Sequence, residues 1–164
     1  MVGGFLQFLN NYCLPNNFGL LYCSIVIGYT YIAMITVFFQ TESHFPVDRK
    51  KVIDAVVAAL EPQMKRQTEV SVIVVGDRRM RQLNKQYRKL EATTDVLSFA
   101  LNDPAEAGEP FVELPDNVLR LGDIVVSYPQ AVEEAAAEDK FVDDQIVFLV
   151  LHGLNHLLGI HHPE

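Results

Sequence analysis

The pattern of apolar and polar positions predicts eight regular elements in the last three quarters of the chain. β-Branched and apolar runs predict four strands, at Ile35–Thr41, Glu69–Val75, Val96–Ala100 and Leu121–Ser127. Apolar residues at helical spacing predict four helices, at about 48–60, 76–88, 129–138 and 142–158, and Asp48 can cap the first of them. The chain of 164 residues can bury one real core but is too short for two full domains.

Two of the helices carry contrasting patterns. The second has a narrow stripe of Met80, Leu83 and Tyr87, which we expect to be buried, and basic residues on its other faces. The last is apolar nearly all round from Ile146 to Leu154, which places it in the core. The end of that core helix is therefore a rigid place for functional side chains.

A cluster of histidines follows at the end of this helix. His152 and His156 are four residues apart, so they lie one turn apart on the same face. Gly159 can end the helix in the left-handed conformation and let His162 return as a third ligand, although His161 stands beside it. Three imidazoles suit zinc, and three protein ligands leave a fourth position for water, as in catalytic sites.

The residue after the first histidine bears on whether the protein is a zinc peptidase. Zinc peptidases with this histidine spacing have a glutamate there as the general base. Here the position is Gly153, which has no side chain. A peptidase would therefore lack its proton acceptor.

Charge is distributed unevenly along the chain. The formal net charge is −8, which argues against a uniformly basic coat for nucleic acid. The segment Asp77–Lys89 nevertheless has one acid and six bases, namely Arg78, Arg79, Arg81, Lys85, Arg88 and Lys89. This run is either a solvated helix face, the usual meaning of a charge run, or a phosphate-binding patch. The two cysteines, Cys13 and Cys23, do not make a disulfide framework, so a reducing compartment is expected. Neither lies near the histidines, so the metal site is expected to contain no thiolate.

The N-terminal stretch has two interpretations. The run Phe18–Phe39 contains 22 residues with few polar members, which is long enough on paper to cross a bilayer. If it crossed, the bases Arg49, Lys50 and Lys51 would place the C-terminal domain in the cytoplasm. The predicted strand at Ile35–Thr41 competes for the same residues. We therefore favour a domain at residues 34–164 that begins near Met34, preceded by an apolar extension at residues 1–33.

Several blocks, in order, resemble the YbeY family of zinc-dependent endoribonucleases, which is associated with ribosomal RNA maturation and ribosome quality control. The resemblance covers roughly Ile35 to His162 and rests on Leu83-Asn84 with Tyr87-Arg88, Thr94-Asp95-Val96-Leu97-Ser98-Phe99, Leu121-Gly122-Asp123-Ile124-Val125-Val126-Ser127, and His152-Gly153 with His156-Leu157-Leu158-Gly159 and His162. It implies an α+β fold with a small mixed sheet of four strands, about four helices and the metal-binding core helix at the C-terminus.

The resemblance also implies a function for particular residues. One Zn²⁺ per chain is expected on His152, His156 and His162, and Arg88 is expected to be required for activity by gripping RNA phosphate. The implied protein is cytoplasmic, has ribosomal RNA and the ribosome or ribosomal proteins as partners, and uses no nucleotide cofactor. A zinc peptidase and a non-catalytic, zinc-stabilised ribosome assembly factor are the alternatives.

This chain departs from the family pattern at the histidine cluster. His161 replaces the usual aspartate, so the third ligand is either His161 or His162. Asn155 replaces an apolar residue and is either a flank of the metal water or a half-exposed polar residue. Arg78, Arg79, Arg81 and Lys85 are further candidates for RNA contact.

Overall fold

All eight predicted elements are present in the structure, a computed structural model that describes residues 34–42, 45–101 and 117–160. The strands are β1 (Ile35–Thr41), β2 (Thr68–Val75), β3 (Val96–Ala100) and β4 (Leu119–Ser127). The helices are α1 (Arg49–Leu60), α2 (Asp77–Arg88), α3 (Tyr128–Ala137) and α4 (Val142–Leu157). The predicted α+β class is confirmed, and no predicted boundary is wrong by more than two residues.

The four strands form one mixed sheet in the order β1-β2-β4-β3. Strands β1, β2 and β4 are parallel, and β3 pairs with β4 as an antiparallel edge strand. The pairing of β2 with β4 shifts between Glu69 and Val70, where β4 has one extra residue, Leu121. This bulge turns Leu121 toward the same core as Ile124, although the two are three residues apart.

The two faces of the sheet pack against different helices. On one face, Val72 and Ile124 are fully buried against α1 and α4, in the larger of two apolar cores. On the other face, Leu97 and Val125 pack beneath Met80 of α2. Residues alternate between the faces because side chains of a strand point alternately up and down. As a result, α4 and α2 lie on opposite sides of the sheet.

The first turn of α1 is tied to the start of α4. The predicted helix cap is confirmed, since the Asp48 carboxylate accepts a 3.0 Å hydrogen bond from the Lys51 backbone N–H. The backbone N–H of Asp48 in turn donates to Asp143, and Lys51 forms a 2.6 Å ion pair with Asp144. The hydrogen bond to Asp144 raises the pKa of Lys51 above its ordinary value.

The apolar N-terminal run overlaps the sheet. Its last five residues, Ile35 to Phe39, belong to β1 rather than to a helix. Residues 1–33 lie outside the described residues, so the choice between extension and membrane segment stays a prediction. Within the described ranges, none of the four helices has the length and apolar character needed to cross a bilayer.

Candidate metal centre

Helix α4 is held by its apolar side chains against the sheet. Ile146, Leu149, Val150 and Leu154 are almost fully buried, as predicted for a core helix. Phe148, however, is 57 % exposed, so one side of this core helix reaches the surface. Phe148 is four residues before His152, so the two lie one turn apart on the same side of the helix, where His152 and His156 are half-buried. The helix therefore has a buried side that fixes it and a half-buried side that carries the histidines.

The two histidines of α4 face each other as the sequence predicted. The Nε2 atoms of His152 and His156 are 3.0 Å apart, and the ring centroids are separated by 4.7 Å at an angle of 76°. Two nitrogens bound to one tetrahedral zinc, each about 2.0–2.1 Å from the ion, would be about 3.3 Å apart. The pair therefore presents two nitrogen donors at close to the spacing that a single zinc ion requires.

Gly153 sets the distance between α4 and the sheet. A Cβ atom at this position would lie 2.8 Å from Cγ2 of Ile124 and 3.4 Å from Cγ2 of Val96. Ile124 is fully buried and β-branched, so it has little room to move. The position points into the sheet, and no side chain there could serve as a base at the neighbouring histidines.

The turn after the histidines matches the prediction made for Gly159. Its φ is +75°, in the left-handed region, and its N–H donates to the carbonyl of His156. The N–H of Ile160 donates to the carbonyl of Asn155, which completes the two hydrogen bonds of a Schellman motif. The carbonyls of Asn155 and His156 are therefore satisfied where the helix ends, and the chain turns sharply at Gly159.

Of the other residues predicted at the metal site, the structure describes Asn155 but not His161 or His162. Asn155 is half-buried on α4, where its carbonyl closes the helix end. His161 and His162 both lie outside the described residues, so the choice of third ligand stays a prediction. Among the residues that the structure does describe, no three histidine, cysteine or acidic side chains form a metal-binding group.

The basic residues of α2 form a stripe on its solvent side. Arg78, Arg81, Lys85 and Arg88 lie within about 80° of one another around the helix axis. Three of them line an open cavity of about 250 Å³ together with Gln82 and Glu91. Arg79 points about 100° away from Arg78, so it does not share this stripe. Lys85 is paired with Glu91, whereas the other basic residues have no ion-pair partner within the described ranges.

Arg88 is the last residue of α2 and is exposed. Helix α2 packs on the opposite face of the sheet from α4. Arg88 and the histidine pair therefore belong to different helices that pack in different apolar cores. Next to Arg88, Tyr87 is 56 % exposed, and the prediction that it is buried is wrong. The apolar cluster beneath α2 includes Met80, Leu83 and Phe99, and Tyr87 lies at its edge, in contact with Phe99.

Polar contacts that sequence reasoning did not find hold the segment between α2 and β3. Asp77 accepts hydrogen bonds from Ser127 at 2.8 Å and from Thr93 at 3.2 Å. The buried side chain of Asn84 donates to the carbonyl of Ala92 at 2.8 Å. These contacts join residues up to 50 positions apart, so spacing along the chain gives no signal for them.

Fold and site together define a small α+β domain with a histidine-based candidate metal centre on its core helix. The family model described as Endoribonuclease YbeY matches residues 37–164, so the chain belongs to the YbeY family. Endoribonuclease YbeY of Roseiflexus sp. is 38 % identical over 119 residues, which are 72 % of this chain and 72 % of that protein.

Other relatives match over a shorter stretch. Endoribonuclease YbeY of Dehalococcoides mccartyi is 38 % identical over 101 residues, which are 59 % of this chain and 63 % of the relative. That of Bacillus cytotoxicus is 42 % identical over 95 residues, which are 58 % of this chain and 60 % of the relative. The chain thus spans about three fifths of the length of these two relatives.

The fold also has a counterpart among solved structures. The solution structure of TM1509 from Thermotoga maritima is similar with a TM-score of 0.50 and 22 % identity, covering 78 % of this chain and 75 % of that one. At this level of identity the likeness supports the fold alone. It agrees with the α+β architecture described above.

Proposed function

We propose that this protein is a metal-dependent endoribonuclease that cleaves single-stranded ribosomal RNA in the cytoplasm, during RNA maturation and ribosome quality control. The observation that carries the proposal is the pair of Nε2 atoms, 3.0 Å apart, on a buried helix in a chain of the YbeY family. The ribosome or its proteins are the expected partners, because the acidic remainder of the chain repels RNA away from the basic helix.

The residues present fit a zinc ion. Their donors are imidazole nitrogens at nearly the spacing of a tetrahedral site, and the helix that carries them is fixed by its buried side. His162, or His161 beside it, follows the fixed turn at Gly159 and can supply the third nitrogen within a reach of about 7 Å beyond Ile160. When bound, zinc supplies a water molecule whose pKa is lowered toward about 7.

The chain's other groups then bind and orient the substrate. The Arg88 guanidinium can donate two hydrogen bonds to a phosphate and offset its charge. Arg78, Arg81 and Lys85 continue the same stripe and can hold neighbouring phosphates, with Arg79 to one side. Because these bases are on a different support from the histidines, the metal can be lost without removing the RNA-binding surface.

A peptidase is disfavoured by the packing of Gly153. The base used by peptidases with this histidine spacing would have to occupy a position that points into Ile124. A non-catalytic assembly factor whose zinc only stabilises the fold is the remaining alternative. It predicts zinc-dependent melting without RNA cleavage.

The test measures zinc content, melting temperature and cleavage of a single-stranded ribosomal RNA fragment in parallel. In His156→Ala, we expect the bound zinc to fall and cleavage to decrease at least about 100-fold, since even groups that only orient ligands cost 10–100-fold. Glu133→Ala, an exposed residue of α3, is the matched control and should cleave like wild type. Equal cleavage by His156→Ala and wild type would disprove a metal-centred nuclease, and wild-type protein that binds zinc without cleaving RNA would favour the assembly factor.

A further inference from the structure

Tyr87 is an aromatic residue on the apolar side of α2 that the fold leaves uncovered. More than half of its surface is exposed, although Met80 and Leu83 on the same stripe are packed against the sheet. An exposed aromatic ring alone is common on protein surfaces and indicates no function. The residues around Tyr87, however, do indicate a function for this ring.

The ring of Tyr87 is held from below by a second aromatic ring. The centroid of Phe99 is 4.7 Å away, with the two rings tilted by 59°. Phe99 is itself packed into the apolar cluster beneath α2. The Tyr87 ring is therefore supported on one side by Phe99, while more than half of its surface stays exposed.

The residue that follows is the exposed Arg88, about 100° further round the helix. One nucleotide has a flat base and a charged phosphate, and these two side chains offer a flat ring and a guanidinium next to each other. The basic stripe of Arg78, Arg81 and Lys85 leads along the helix to Arg88 and lies about 120–180° from Tyr87 around the axis. The guanidinium of Arg88, next to Tyr87, therefore complements the phosphate of a nucleotide whose base contacts the ring.

We infer that Tyr87 is a base-stacking platform that, with the phosphate held by Arg88, forms a nucleotide subsite selective for single-stranded RNA. The inference rests on the proposed function and gives it a structural source of strand selectivity. Paired bases inside a duplex present no free face to an aromatic ring, whereas unpaired bases do. Duplex RNA can still contact the basic stripe through its phosphates but gains nothing from Tyr87.

Phe141 provides a matched control within the same molecule. It is 81 % exposed at the start of α4, where four nearby acids, Glu138, Asp139, Asp143 and Asp144, outnumber the one base, Lys140. An exposed aromatic ring in a negative surrounding should not bind RNA. Replacing it tests whether loss of any surface ring weakens binding.

The experiment measures the dissociation constants of a labelled ten-nucleotide single-stranded RNA and of the corresponding duplex over a range of salt concentrations. A chelator prevents metal-dependent cleavage, and circular dichroism checks the fold of every variant. For Tyr87→Leu we expect single-strand binding to weaken about 5- to 100-fold, with duplex binding and the salt dependence unchanged. Tyr87→Phe and Phe141→Leu should bind like wild type. Arg88→Ala should reduce the slope of log K against log salt by about 0.7.

An abasic nucleotide separates stacking from a structural effect. An oligonucleotide that lacks the base at the stacking position should bind wild type more weakly than the intact oligonucleotide does. Tyr87→Leu should bind these two oligonucleotides with the same dissociation constant. Additive losses at every position, equal losses for single strand and duplex, or unchanged binding by Tyr87→Leu would each overturn the inference. Because binding is measured without cleavage, a wild type that shows this selectivity but does not cut RNA would contradict the proposed function alone.

Discussion

Helices α2 and α4 lie on opposite faces of one sheet and differ in almost every physical respect. Helix α4 buries Ile146, Val150 and Leu154 and has two imidazoles at its end. Helix α2 buries only Met80 and Asn84, and its remaining surface is mostly charged. Helix α4 owes its position to apolar packing, whereas α2 exposes most of its residues to solvent.

This difference explains how one small domain can hold both of the sites that we propose. A metal site needs ligands fixed to within a fraction of an ångström, which a buried helix provides. A surface for a nucleic acid backbone needs charge and accessibility, which a largely exposed helix provides. Substitutions on α4 should therefore change stability and metal binding, whereas those on α2 should change RNA binding.

The largest expected effect is on stability, from a core residue of α4. Leu154 is 1 % exposed, so Leu154→Ala should lower the free energy of unfolding by about 2–5 kcal/mol through the lost burial and the cavity left behind. Arg81→Ala on α2 should change it by no more than about 0.5 kcal/mol. Urea denaturation of both variants measures the contrast. A similar loss in the two variants would refute the different roles of the helices.

The next effect is on RNA cleavage and comes from α2. Arg88→Ala should lower kcat/KM for single-stranded RNA about 10- to 150-fold, because a hydrogen-bonded charged group contributes about 1.5–3 kcal/mol. Arg88→Lys should recover part of the loss, since it keeps the charge but not the paired donors. The free energy of unfolding, measured by urea denaturation, should stay that of wild type. A loss as large as that of Leu154→Ala would mean that Arg88 acts on the fold instead.

A smaller effect tests the contact between α4 and the sheet. Gly153→Ala should lower the free energy of unfolding by about 1–3 kcal/mol, because the added methyl group overlaps Ile124 and pushes the helix outward. It should also weaken zinc binding, since His152 moves with the helix. The double variant Gly153→Ala with Ile124→Val should regain part of the lost free energy of unfolding and part of the lost zinc affinity. No gain from the second substitution would show that the 2.8 Å contact is not the cause.

The smallest effect concerns the ion pair that joins the starts of α1 and α4. Because the pKa of Lys51 is raised by Asp144, the pair contributes below the ordinary lysine pKa of 10.5 and is lost as the pH rises through the folded-state value. Lys51→Met should leave the melting temperature at neutral pH nearly unchanged, as for other exposed pairs, and should flatten its decrease in alkali. An unchanged alkaline profile would show that the pair is not formed in solution.

Much of the fold could be predicted from the sequence because apolar periodicity reports which residues face a core. The strand at Ile35–Thr41, the cap at Asp48 and the turn at Gly159 all depend on local rules, and all are confirmed. The facing histidines are likewise a local consequence of helical spacing.

The errors and omissions have a common cause in tertiary structure. Tyr87 and Phe148 follow the apolar pattern but are exposed. Periodicity predicts which way a side chain points, but not how far the surface that it packs against extends. Sequence showed that Gly153 removes a base, but only the structure shows that Ile124 leaves no room for one. The hydrogen bonds of Asp77 to Ser127 and Thr93 depend on which strands lie side by side.

Stepwise return of zinc to the protein after removal by a chelator tests the central claim most directly. Zinc bound per chain and the rate of cleavage of a single-stranded ribosomal RNA fragment are measured at each addition, with His156→Ala in parallel. We predict that cleavage is absent in the metal-free protein and rises in proportion to bound zinc up to one ion per chain, while His156→Ala stays inactive. Cleavage that is the same with and without bound zinc would contradict it.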